Sequence, residues 1–181
     1  MKNLFWGLIL NIFSINIGLG LGSIDLLPDF LGFYLLLKGF KEIHPVNASI
    51  FKVYETIKVA FIFSIFCFAF ELFGIFAMMG LIVSAFFNLI DTGLLIFIVY
   101  KFIDDFKKIE TENQIDLNTR KLEQFWNIYT CCTVIAIIAG MIPNYPIISI
   151  PVLVAVIVVA VVFLYEFNKA KNSYLSRDYL G

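Results

Sequence analysis

The chain reads as an all-α polytopic membrane protein of six transmembrane helices in three hairpins, with both termini in the cytoplasm. Three observations predict this. Apolar residues make up 61% of the 181 positions, and the mean hydropathy is +0.92, both above the range of a soluble domain. The charged residues, only 15% of the chain, are clustered between apolar runs of about 20 residues, the length that crosses a hydrocarbon core. All thirteen lysines and arginines fall at the termini or around alternate connections, so the positive-inside rule places those connections and both termini on the cytoplasmic side.

The spans are expected at about residues 4–23, 27–43, 57–78, 80–102, 122–142 and 147–167, with a cytoplasmic loop over 103–121 and a cytoplasmic tail over 168–181. Together they form one helical-bundle domain. Lys2 precedes the first span, and Lys38, Lys41, Lys52 and Lys58 surround the second connection. Lys101, Lys107, Lys108, Arg120 and Lys121 surround the fourth, and Lys169, Lys171 and Arg177 follow the last span. Trp6, Tyr100, Trp126 and Tyr165 lie near the cytoplasmic ends, where amphipathic rings favour the interface.

The first span carries two competing periods. Ile15, Ile17, Leu19 and Leu21 alternate with Asn16, Gly18, Gly20 and Gly22, as in a strand. Ser14, Gly18 and Gly22 recur every four residues, the small-residue ridge of packed membrane helices. An extended segment would leave about 11 residues for the helix, roughly 16 Å, too short to cross. Extended backbone facing lipid would also leave peptide groups without partners. A helix through residue 23, with Ser14, Gly18 and Gly22 as its packing face, is therefore expected. It is read as a retained first span rather than a signal peptide. Pro28 then suits the first turn of the second helix. Asp25 and Asp29 either cap that start or stand at an outer mouth.

Two carboxylates inside the spans are the informative residues. Glu71 lies in FCFAFELFGIF and Asp91 in FFNLIDTGLL. A carboxylate at the centre of a span costs about 2.5–3.5 kcal/mol, and such residues mark ion or substrate paths. Ser84, Asn88 and Asp91 share a helical face by i, i+4, i+7 spacing, and Asn11, Ser14, Asn127, Thr130 and Thr133 extend the polar set. No lysine or arginine lies deep in a span, so the carboxylates either carry protons or meet a visiting cation. Glu71, Asp91, Asn88 and Ser84 are the expected binding set.

Several chemistries are set aside. A net charge of −1 gives no basic face for nucleic acid. Cys67, Cys131 and Cys132 sit in apolar runs without C-x-x-C spacing, and His44, the one histidine, is in a polar loop, so neither a metal nor another cofactor is expected. Serine or cysteine catalysis would need a histidine in the membrane. An aspartyl protease working through paired aspartates would carry G-x-G-D, whereas GLGSID places two residues before Asp25. No enzyme is expected.

The run IDLLPDFLGFYLLLKGFKEI, Ile24 to Ile43, after an N-terminal LFWGLIL, resembles a signature of small membrane proteins of unassigned activity from Gram-positive bacteria. The matching positions are Asp25, Leu26, Leu27, Pro28, Asp29, Phe30 and Gly32, and the resemblance implies an inner-membrane location and a hairpin. The six-helix plan also resembles the substrate-binding subunits of energy-coupling-factor transporters, which implies docking to a membrane partner through small residues of the first helix. Two functions follow as expectations. One is a small transport-type protein for protons, a cation or a small solute. The other is a non-catalytic subunit, of assembly or immunity type, docking through its first helix and the segment 101–124. That segment places Ile103, Phe106 and Ile109 on one helical face. The lipid bilayer is the common partner, with a second copy or another membrane subunit beside it.

Overall fold

A computed structural model describes residues 1–13, 16–18, 23–25, 28–43, 48–114, 116–140 and 146–178. Seven helices and one short hairpin account for them. They are α1 (Lys2–Ile12), β1 (Asn16–Gly18), β2 (Ser23–Asp25), α2 (Asp29–Ile43), α3 (Ala48–Leu72), α4 (Ile75–Met79), α5 (Leu81–Asn113), α6 (Thr119–Gly140) and α7 (Pro146–Asp178). Three of the helices are long and apolar enough to cross a membrane, through Val53–Leu72, Val83–Glu112 and Pro151–Ser176. The chain divides into two compact units, Met1–Lys101 and Phe102–Gly181.

In the first unit α1, α2 and α3 pack side by side, each antiparallel to the next. Glycines bring α1 onto α2. A Cβ on Gly39 would fall 2.6 Å from the Leu4 backbone nitrogen, and one on Gly7 would fall 2.8 Å from the Gly32 carbonyl oxygen. Asn11, buried in α1, donates from Nδ2 to the Gly7 carbonyl at 2.8 Å and occupies the space that a Cβ on Gly32 would need. Aromatic pairs fix α2 against α3, with Phe30 5.3 Å from Phe68 and Tyr34 6.3 Å from Phe61. At the other end, the Lys41 and Lys58 ammonium groups stand 5.9 and 4.6 Å from the Tyr54 ring. Lys2, Lys38, Lys41 and Lys58 thus mark one end of the unit. Around Phe87 of α5, Phe63, Phe70 and Phe76 close the α3–α4–α5 corner, with Phe63 stacked at 5.8 Å.

In the second unit Trp126 and Tyr129 of α6 stack at 4.9 Å, and Trp126 meets Phe163 of α7 at the same distance. Phe102 and Phe106 of α5 join Phe167. Leu117 and Leu122 complete this core. Glu110 ties the α5–α6 connection down. One of its carboxylate oxygens accepts the Leu117 N–H at 3.0 Å and the other accepts the Thr119 hydroxyl.

Three expectations are corrected and one is filled in. The first helix does not reach residue 23: α1 ends at Ile12, and residues 16–18 and 23–25 pair as antiparallel strands with Asn16 opposite Asp25, Ile17 opposite Ile24 and Gly18 opposite Ser23. The alternating period prevails because each helical glycine costs about 1 kcal/mol against alanine and strand pairing satisfies the peptide groups. The third span stops at Leu72 rather than 78, because Gly74 takes φ +67° and ends the helix. The segment 103–121, expected between the fourth and fifth spans with Ile103, Phe106 and Ile109 on one helical face, is mostly helix: α5 continues to Asn113 and α6 starts at Thr119. Ile103 and Phe106, which share a face there, are buried. Finally, Trp126 is fully buried, whereas Trp6, Tyr100 and Tyr165 are exposed.

Candidate acidic cavity

Three elements of the first unit converge on one cavity. From α3 come Ser64, Cys67, Phe68 and Glu71, at i, i+3, i+4 and i+7, which stacks them along one helical face. From α5 come Asn88 and Asp91, one turn apart, and from the start of α2 come Pro28 and Asp29. The cavity has a volume of about 40 Å³. One water needs about 10–15 Å³ on this measure, so there is room for a few waters or a single small ion.

Each wall has a local reason. Pro28 precedes α2, where its missing N–H has no helical partner to lose, and its carbonyl accepts the Leu31 N–H at 2.9 Å. Asp29 follows in the first turn, where the peptide dipoles favour a negative charge. Ser64 is buried and donates its hydroxyl to the Phe61 carbonyl at 3.0 Å. The Cys67 thiol lies within electrostatic range of Asp91, Glu71 and Asp29. Asp29, Glu71 and Asp91 each take part in further interactions within the protein.

Comparison with protein-family models, curated proteins and solved structures finds no match. Among the described residues, no three His, Cys, Asp or Glu side chains converge as a metal ion's ligands would. The carboxylates line a small cavity without closing on a common point. Such an arrangement suits a proton shared among acids and water, or an ion that keeps part of its hydration, better than a tightly chelated metal.

Of the expected binding set, Glu71, Asp91 and Asn88 are brought together, and Asp29 joins them. Ser84 is not on the cavity. Its hydroxyl donates to the Gly80 carbonyl at 2.9 Å, two turns away from Asp91 along α5. Asp25 stands in β2 and not at a helix start, since α2 begins at Asp29. Ser14 and Gly22 lie outside the described residues, and Gly18 stands in β1. The close α1–α2 approach uses Gly7, Gly32 and Gly39 instead. Thr130 donates to the Trp126 carbonyl at 2.9 Å within α6. Ser64 and Cys67 escaped the sequence reading, although their i−7 and i−4 spacing from Glu71 was there to be seen.

Proposed function

We propose that the protein is a small, multi-pass transport-type protein of the cytoplasmic membrane that takes up protons or one small cation between Asp29, Glu71 and Asp91. The observation that carries this reading is that three carboxylates, from three separate helices, line one cavity. Carboxylates in apolar helices are costly, and a shared cavity is the arrangement that makes them useful to a cation. The volume of about 40 Å³ is far below the roughly 300 Å³ of a site for an organic solute. That favours protons and monatomic ions over larger substrates. In this reading both termini are cytoplasmic, because the lysines mark that side. The first two of six passes are then part helix and part extended chain. The docking-subunit reading has no comparable support: of its ridge, Ser14 and Gly22 lie outside the described residues and Gly18 stands in β1.

Thermal unfolding of the purified protein in detergent tests the proposal, across pH and a panel of monovalent and divalent cations. A ligand that binds only the folded protein raises its melting temperature by mass action, by about 2.7 kcal/mol of stability at one hundred times Kd. The expected result is stabilisation by protons or by one class of cation that disappears in Asp91→Asn and in Glu71→Gln. A flat response shared by parent and variants would remove the proposal.

A further inference from the structure

We infer that the acidic cavity is a blind vestibule, open at the end of the first unit remote from its lysines and sealed towards the lysine end by packed apolar side chains. The inference deepens the cation-site reading and rests on it only for what enters.

The two sides of the cavity differ in packing. Towards the lysines the interior is filled: Phe33 and Leu36 of α2, Val53 and Ile57 of α3, and Leu95 and Ile98 of α5 are all at most 6% exposed. On every one of these helices the filled positions lie on the lysine side of the cavity residues. From Val53 to Ser64 the axial rise is about 16 Å, so the seal is roughly half a hydrocarbon core thick. On the other side, the aromatic corner of Phe63, Phe70, Phe76 and Phe87 is only half-buried, and no hydrophobic residue of α3 beyond Ser64, or of α5 before Leu95, is buried among the described residues. Asn88, on the cavity wall, is exposed.

The chain path points the same way. The β1–β2 hairpin lies between Ile12 and Asp29, at the remote end of α1 and α2, and β2 packs against α3. α1 has 11 residues, a rise of about 16 Å, short of the roughly 30 Å of a hydrocarbon core, and the paired strands β1 and β2 follow it. Extended backbone at membrane depth is tolerated only against protein or where it lines water. A hairpin beside a water-filled mouth meets that condition.

The native Cys67 provides the test. In full-length protein carrying Cys131→Ala and Cys132→Ala, membrane vesicles of each orientation are exposed briefly to silver ion on one face. Silver is small enough for the cavity and binds thiolate with release of a proton. Excess is precipitated with chloride, and free Cys67 is counted by alkylation after solubilisation. A Lys41→Cys variant lacking the other cysteines identifies the lysine face. The expected result is capture of Cys67 at least tenfold faster from the face opposite the Lys41→Cys label. Capture from the lysine face, at equal rates from both faces, or from neither face overturns the inference. Repeating the measurement in Asp91→Asn separates the two ideas. Slower capture from the same face supports both, whereas an unchanged rate counts against the cation site and leaves the sidedness standing.

Discussion

Gly39→Ala and Gly93→Ala are the same chemical change on helices of one unit, and the structure assigns them opposite signs. At Gly39 the added methyl would lie 2.5 Å from Leu4 Cγ and 2.6 Å from the Leu4 backbone nitrogen. Carbon contacts settle near 3.5–4.0 Å, so the helices must part by about 1 Å. The nitrogen belongs to the α1 backbone and cannot swing aside. Overpacking of this kind costs about 1–3 kcal/mol, and the better helix propensity of alanine returns at most about 1 kcal/mol. The net effect is a loss of roughly 1–2 kcal/mol, or a fall of about 2–8 °C in melting temperature for a chain of this size. At Gly93 a Cβ meets nothing within 4 Å, so only propensity remains and stability rises by up to about 1 kcal/mol. Melting curves of both variants in one detergent, followed by circular dichroism at 222 nm, make the comparison. If Gly39→Ala is as stable as Gly93→Ala, the close α1–α2 packing described above is wrong.

Three further outcomes are expected. Glu110→Ala leaves the buried Thr119 hydroxyl and the Leu117 N–H without their acceptor, which costs about 1–3 kcal/mol; an unchanged denaturation midpoint would contradict that role. Trp126→Ala empties the centre of the second core and should cost about 3–5 kcal/mol, whereas Trp6→Ala at an exposed position should stay within about 0.5 kcal/mol. The fluorescence of Trp6→Phe, which reports Trp126 alone, should be blue-shifted relative to Trp126→Phe; coincident maxima would show equal burial. Lys107→Ala breaks a 2.6 Å ion pair with Glu123 whose side chains remain about a third exposed, so its loss should move stability by less than about 1 kcal/mol, with the effect shrinking further in high salt.

The charge pattern illustrates what a sequence can and cannot resolve. Lys2 and Lys41 occupy the same end whether the segment between them is two full helices or two shorter helices joined by a hairpin. The lysine distribution is identical in both cases and could not choose between them. Residues 16–18 and 23–25 were decided by a competition between glycine-weakened helix and paired strands, in which the strand hydrogen bonds exist only once both arms lie together. The helix-length argument failed because it required the whole pass to be helical.

Composition and hydropathy alone determined that the chain is mainly helical, with helices long and apolar enough to cross a membrane, because burial of apolar surface in lipid depends on length and residue type rather than on neighbours. The sequence also singled out Glu71 and Asp91, since an acid within an apolar run is visible without any fold. Only the tertiary structure decided that Asp29 shares their cavity, that Ser84 does not, and that Gly7, Gly32 and Gly39 carry the close helix approach. Each of those depends on the register of one helix against another, which is set by side chains far apart in the chain and leaves no periodic trace within either helix.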